Sequence, residues 1–362
     1  MIIINKKYTN AFLACALISA SGMSFANEQV RWRVPLAAPA STAVVGQMPQ
    51  YLAEQLEKIS GGEIRFMLQD PGKIVPAFGI FDALKEGKID AGYQWIGYDQ
   101  GKVPAAALLG GAPFGMEPME YSMWYYDRGG KDLIRDVYAP HNIVPLLCGV
   151  SGPETAGWFR EEISSLEDIQ GLKIRASGLA GKVYEELGAS VTVLPAGELF
   201  QALEMGVLDA TEFSIPPMDK SLGFYQIAKY NYFPGWHQNS AAHYLMVNKN
   251  SWDGLEDSTK SSLELACQAT NVMAMIYGDA PSGEIIEEFK AEGVITGELP
   301  EEMLISLREV SYEVLEREAN NDEDFARLLD SQAEFMTSYE TWKHLGYLPR
   351  DMESIFTFKN DD

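Results

Sequence analysis

Residues 200–212, FQALEMGVLDATE, restate an earlier stretch, residues 81–93, FDALKEGKIDAGY. At the offset of 119 (200 − 81) six residues coincide: Phe81/Phe200, Ala83/Ala202, Leu84/Leu203, Gly87/Gly206, Asp90/Asp209 and Ala91/Ala210. In each copy Phe, Ala and Leu fall on one helical face, the glycine stands where a helix C-terminus needs positive φ, and a short strand is expected from the Asp-Ala pair. A unit used twice implies two similar α/β lobes facing each other across a cleft. In open α/β sheets ligands bind beyond the carboxyl ends of strands. That makes Tyr93, Gln94 and Trp95 in the first copy, and Glu212, Phe213 and Ser214 in the second, candidates to meet one ligand. Chance similarity of two helix-glycine-strand units is the competing reading.

The chain start sets the compartment. Residues 1–26 carry Lys6 and Lys7, an apolar run over 11–20 and a small-residue site at Ser24-Phe25-Ala26, the pattern of a cleaved secretory signal peptide. Cys15 sits inside the apolar run, and Phe12-Leu13-Ala14 before it matches a lipidation site poorly. No later stretch is apolar enough to span a bilayer. An exported, soluble product is expected, in the periplasm. Without Lys6 and Lys7 the 28 basic residues fall to 26 against 52 acidic ones, a net of −26. That balance argues against nucleic acid and anionic membranes as partners, and it means that an anionic ligand needs a local cation. The mature chain keeps Cys148 and Cys267. A chain this long needs no disulfide framework, so two buried thiols are expected, with a single bond as the alternative.

From residue 27 strands and helices alternate. A strand over 30–37, a helix over 43–59 ending at Gly61-Gly62, a strand over 64–68 and the first repeat copy make a βαβαβ lobe with a largely parallel sheet. The Gly- and Pro-rich residues 96–116 are expected as a loop at the cleft mouth, and 121–126 as a core helix. A strand over 143–150 ends at Ser151-Gly152-Pro153, where the chain is expected to cross into the second lobe. There Ser165 caps a turn with Glu167 and Asp168 behind it, a strand over 172–174 delivers Arg175 into a Ser-Gly turn, and helix 180–187, strand 191–193 and the second repeat copy follow. The alternation of 242–247 suits a strand returning to the first lobe. The division expected is thus lobe I over 27–150 with a returning strand near 242–248, lobe II over 151–241, and a helical segment over 251–362 that braces both and offers surface for a homodimer contact.

Catalytic signatures are sparse. There is no G-x-S-x-G, H-E-x-x-H, C-x-x-C, P-loop or G-x-G-x-x-G. His237 and His243, six apart at a turn into a strand, have poor metal spacing and read as core or surface residues. A binding constellation is left. Arg175 can grip a carboxylate through two parallel hydrogen bonds, with a plain salt bridge as the alternative. Glu154, Glu212 and Gln238 are oxygen donors at three segment ends, able to gather around Ca²⁺ or Na⁺. Trp95, Phe213 and Trp236 are candidate pocket walls.

Five blocks in one order carry a resemblance: G-K-I-V-P at 72–76, A-P-F-G-M at 112–116, G-W-F-R-E-E-I at 157–163, G-L-K-I-R at 171–175 and Y-F-P-G-W at 232–236. The chain resembles the periplasmic solute-binding proteins of tripartite ATP-independent (TRAP) transporters, the DctP family, and most closely the branch that binds 2-oxo acids or lactate with a metal ion. The resemblance implies a two-lobe periplasmic-binding-protein fold with a hinge and long C-terminal helices, and Arg175 on the ligand carboxylate. It also implies metal ligands at Glu154, Glu212-Phe213 and Gln238. Relatives carry Gln, Glu-Trp and Glu at those places, so an acid and an amide have exchanged and Trp has become Phe, which alters the pocket while both Gln and Glu offer oxygen. Relatives have a tyrosine-rich run where this chain has Y-Q-W-I-G-Y at 93–98. Tyr98 keeps a phenol there, and Gln94 and Trp95 join it as substrate contacts beside Arg175, Glu154 and Phe213.

The expected function is capture of a small organic acid such as pyruvate or lactate, by hinge closure, for delivery to TRAP permease subunits. Two rivals stay open: the same fold taking a polyol or sugar with Arg175 in a structural pair, and a secreted enzyme using Glu154 and Glu212 as a carboxylate pair.

Overall fold

The computed structural model describes residues 29–350 of the 362-residue chain. The expected signal peptide lies outside the described residues. Among them no helix is long and apolar enough to cross a membrane.

The two repeat copies fold alike. The first is helix Ile80–Lys85 followed by strand Ala91–Trp95, the second helix Ala196–Glu204 followed by strand Ala210–Thr211. Gly87 and Gly206 have φ of 68° and 70°. No packed atom would crowd a Cβ at Gly206, and only the Asn248 amide nitrogen, at 3.9 Å, comes near one at Gly87, so backbone conformation rather than space demands glycine. The residues after them make the same helix-closing bond: Lys88 N–H donates to Ala83 O at 2.8 Å and Val207 N–H to Ala202 O at 3.0 Å.

The strands, in chain order, are β1 Val30–Pro35, β2 Ile64–Gln69, β3 Ala91–Trp95, β4 Ile143–Ser151, β5 Gly157–Phe159, β6 Lys173–Arg175, β7 Ser190–Thr192, β8 Ala210–Thr211, β9 Tyr230–Phe233, β10 Ala241–Asn248 and β11 Ile295–Glu298. In the first lobe β1 and β2 are parallel, a parallel bridge from Leu36 to Tyr93 brings β3 alongside, and β10 lies antiparallel between β3 and β4. The expected largely parallel sheet is therefore mixed. The antiparallel member is the returning strand, all eight of whose residues are buried, as a central strand covered on both faces must be. The second sheet runs β11-β9-β5-β8-β6-β7.

Three further expectations need correction. The helix over 43–59 begins only at Gln47, because residues 42–46 turn tightly: a Cβ on Gly46 would stand 2.4 Å from Ala40 O. The expected cleft-mouth loop contains helix Ala106–Gly110, buried at every residue; Ala-Ala-Leu-Leu is apolar on all sides, and such a helix belongs inside. Cys148 on β4 and Cys267 on helix Asp257–Asp279 are disulfide-bonded, with Cα atoms 4.1 Å apart. That helix packs on β4, a proximity that 119 residues of separation conceal in the sequence.

Helix Glu301–Asn321 packs on helix Gly178–Glu186 of the second lobe, and helix Glu323–Leu345 on helices Ala106–Gly110, Pro118–Asp127 and Gly130–Tyr138 of the first. Leu307, Val314, Phe325, Leu328 and Phe335 thereby join one core with Trp124 and Val183.

Candidate functional site

Two strips of chain cross between the sheets. One, between β4 and β5, carries Glu154. The other, between β9 and β10, carries Trp236, His237 and Gln238. They touch: Glu154 N–H donates to Gln238 O at 3.3 Å. A Cβ on Gly235 would stand 2.1 Å from Glu154 O, so the glycine of the Y-F-P-G-W block lets the backbones meet. On the second sheet β6 and β8 are parallel neighbours with Arg175 opposite Thr211. Arg175 and Glu212 therefore leave the sheet side by side at its carboxyl edge.

A cavity lies where these segments converge on the end of β3. Glu154, Arg175, Glu212, Phe213 and Gln238 line it, as do Gln94, Trp95 and Tyr98. Tyr93 and Ser214 line it too, so ten of the eleven cleft candidates named from the sequence reach one space. It leaves about 40 Å³ free. Trp236 does not line it; this residue is buried beside Tyr184, Phe114 and His237.

Arg175 is held from three sides. Its Nε donates to Leu194 O at 3.2 Å, and its Nη1 to Glu212 O and to Glu212 Oε1, both at 2.9 Å. The guanidinium carbon lies 5.4 Å from the centre of the Phe213 ring, a cation–π contact. Glu212 Oε1 also accepts from Ser177 N–H at 2.6 Å. On the opposite wall Trp95 donates Nε1–H to Gly110 O at 2.9 Å. A Cβ on Gly97 or Gly110 would fall 2.1 or 2.6 Å from its indole. Gln94 commits its amide nitrogen to Asp99 Oδ1 at 2.8 Å. Trp95 and Tyr98 meet edge to face.

Sequence spacing missed His237. It is wholly buried, with Nε2 3.2 Å from Glu154 Oε2 and 3.6 Å from Glu212 Oε2. Its Nδ1 finds no protein partner among the described residues. The partners come from 83 and 25 residues away (237 − 154 and 237 − 212), so local spacing held no signal; its place beside Gln238 was the only hint. His243 also lines the cavity. Burial pulls it down to about 3, so it is neutral.

Burial pushes Glu154 up to about 7, against the pull of His237. Glu212 suffers the same burial, but Arg175, His237 and the Ser177 N–H outweigh it and hold the carboxyl below the usual range. Burial would lower His237, yet the two carboxylates raise it to about 9. Burial raises Tyr98, and Arg175 opposes the shift. The cavity thus has a fixed cation at Arg175 and a pair of carboxylates whose second positive partner is a proton on His237. The donor atoms of Glu154, Glu212 and His237 all lie within 4.8 Å of one another, and two carboxylates on one cavity fit a metal cation.

Residues 36–322 match the model of the bacterial extracellular solute-binding proteins, family 7, or DctP. The chain belongs to this family. DctP proteins of this kind are the solute receptors of TRAP transporters, a family of binding proteins rather than of enzymes. The chain is 29% identical over 341 residues to the monocarboxylate 2-oxoacid-binding periplasmic protein of Nostoc sp., covering 94% of this chain and 93% of that protein. A TRAP solute-binding protein from Bordetella bronchiseptica, a mixed-occupancy dimer with calcium and picolinate in one site, superposes with a TM-score of 0.85 at 28% identity, covering 88% of this chain and 95% of that one. Another, from Pseudoalteromonas atlantica with bound sodium and pyruvate, superposes at 0.84 and 28% identity, covering 89% and 100%. The DctP resemblance read from five sequence blocks is thereby established, and with it the two-lobe fold.

Proposed function

We propose that this DctP protein captures a small 2-oxo or 2-hydroxy monocarboxylate, of the size of pyruvate or lactate, together with a metal ion, and hands it to a TRAP permease in the membrane. The observation that carries this reading is the buried Arg175 on the same small cavity as the Glu154 and Glu212 carboxylates. The calcium- and sodium-bound similar structures support it.

Arg175 takes the ligand carboxylate, Tyr98 stands beside it, and Trp95 and Phe213 exclude water on two sides. The ion would be held by Glu154 and Glu212, with the Phe213 carbonyl and Gln238 amide as further oxygens, and when bound it supplies positive charge to a ligand whose own charge is negative. The lobes divide at 151–153, rejoin through β10, and close by hinge motion. The helical segment after residue 251 braces them and contributes to a homodimer contact. The protein acts outside the cytoplasm and releases its ligand unchanged.

The Arg175–Glu212 pair favours one rival, a neutral polyol ligand for which Arg175 serves structure alone. Thermal-shift melts of metal-stripped protein against 2-oxo acids, 2-hydroxy acids, dicarboxylates and polyols, each with EDTA, Na⁺ or Ca²⁺, separate the two, since stabilisation follows occupancy of the native state. Stabilisation by monocarboxylates that needs metal is expected. A response confined to polyols overturns the reading.

A further inference from the structure

The cavity wall carries polar atoms that neither Arg175 nor the oxygen donors of the ion account for. His243, only 5% exposed, lines the cavity, and neither its Nδ1 nor its Nε2 has a hydrogen-bond partner among the described residues. On the Arg175 side, Ser177 lines the same cavity, and its buried Oγ also has none. We propose that His243, with Ser177 as a second contact, selects a 2-oxo or 2-hydroxy acid with a further hydroxyl on the carbon remote from the carboxylate, of the glycerate or hydroxypyruvate kind, over lactate and pyruvate. The proposal rests on the reading that Arg175 takes the carboxylate of such an acid.

The strand decides where His243 points. On β10 it stands opposite Trp95 of β3, and residues paired across two strands share a face of the sheet. Trp95 lines the cavity, so the imidazole is on the cavity face. Tyr244 turns to the other face, where its hydroxyl meets that of Tyr121 at 2.9 Å. Along β4 the register slips at this point, from Gly149 opposite His243 to Leu147 opposite Tyr244; irregularities of this kind adjoin sites where a side chain is re-aimed. The Tyr93 ring lies parallel to the imidazole, with 6.5 Å between centres.

The neighbours on this wall have no donor to spare. Tyr93 gives its hydroxyl to Cys148 O at 3.2 Å, and Trp95 gives its Nε1–H to Gly110 O at 2.9 Å. Leaving a buried polar group unpaired is costly, so in native proteins such groups answer to a water or a ligand. A neutral imidazole, the form in which burial holds His243, offers one donor and one acceptor. A hydroxyl both donates and accepts and so matches either nitrogen, whereas the methyl of lactate or pyruvate matches neither. A second carboxylate would lose hydration that a neutral ring does not return. His243 belongs to the first sheet and Arg175 to the second, so an acid with its carboxylate on Arg175 turns its other end toward His243.

The test titrates the exported chain, in buffer containing Ca²⁺ and Na⁺, with glycerate, hydroxypyruvate, lactate and pyruvate. Each hydroxylated acid is expected to bind about 5–10-fold more tightly than its methyl counterpart, the worth of one neutral hydrogen bond. His243→Phe keeps a ring of similar size and removes both nitrogens, and it is expected to abolish that preference. A readout that needs no variant is nuclear magnetic resonance of wild type carrying ¹⁵N-labelled histidine: a ring nitrogen signal that shifts with glycerate and not with lactate supports the proposal, and identical histidine signals with the two acids overturn it. Lactate binding as tightly as glycerate, or a preference that survives in His243→Phe, overturns it too, while the broader reading stands on metal-dependent binding of lactate or pyruvate. Binding of none of the four acids overturns both.

Discussion

Arg175 and Glu212 hold each other before any ligand arrives: Nη1 lies 2.9 Å from Oε1 with the two side chains 3% and 2% exposed, and the same nitrogen is 2.9 Å from the Glu212 carbonyl. None of the three bonds of the guanidinium uses Nη2. Glu212 thus aims the fork, leaving one arm for a ligand carboxylate. Arg175→Lys keeps the charge and loses the fork, so monocarboxylate affinity should fall by about 10–100-fold, as for loss of a charge-assisted hydrogen bond, with folding retained. Arg175→Met should in addition destabilise by up to about 3–5 kcal/mol, because it removes the nearest cation from buried Glu212. Calorimetric titration and denaturant melts check the pair. Unchanged affinity in Arg175→Lys would return Arg175 to a purely structural role.

The Glu154 carboxylate and the Gln238 amide, which line one cavity, predict a compensating pair. Glu154→Gln removes one of the two carboxylates facing each other across the site, and metal affinity should drop by at least about 10–100-fold. Adding Gln238→Glu restores the number of carboxylates on the cavity, which Gln238 also lines. The double variant should therefore recover metal-dependent acid binding. Metal titrations of the two variants side by side decide this. Full metal binding by Glu154→Gln alone would remove Glu154 from the coordination sphere.

Much of this was legible in the sequence because it is encoded locally. The repeat placed Gly87 and Gly206 at helix ends, where the structure gives both positive φ, and strand ends after each copy pointed to Gln94, Trp95, Glu212 and Phe213, all of which reach the cavity. What stayed hidden depends on residues distant along the chain. His237 meets two carboxylates from other segments, and the Cys148–Cys267 bond depends on a helix packing over β4. Helix Ala106–Gly110 was concealed differently: its Gly and Pro neighbours signal loop, while only its burial explains why an Ala-Leu run sits between them.

The disulfide closes a loop of 119 residues between β4 and helix Asp257–Asp279. In the chain-entropy account a loop of about 100 residues is worth up to about 5 kcal/mol, and losing a native bond commonly costs about 2–5 kcal/mol. Cys148→Ala with Cys267→Ala should lower the denaturant midpoint accordingly, and treating the wild type with reductant should move its melt toward that of the variant. Ligand affinity at temperatures where the variant is folded should change little, since neither cysteine lines the cavity. Identical melts before and after reduction would show that the bond contributes nothing to stability.

Asp219 offers a pH test away from the ligand site's own donors. It is wholly buried, with Oδ2 accepting from Trp158 Nε1 at 2.8 Å and from Thr155 Oγ1 at 3.3 Å. Burial raises it from 3.8 to about 8, and the nearby charge of Glu154 adds to the rise. The native state therefore keeps a proton that the unfolded chain gives up near pH 4. Between those values the native state binds more protons, so this group's contribution to stability falls as pH rises from about 4 and levels off above about 8. Four pK units correspond to an upper bound on the order of 5 kcal/mol. Asp219→Asn keeps an oxygen for the two donors and removes the titration, so the variant should match wild type near pH 4 and exceed it by several kcal/mol at pH 8. Urea melts of both proteins from pH 4 to pH 9 measure the difference. Parallel pH profiles would mean that Asp219 is ionised in the native protein.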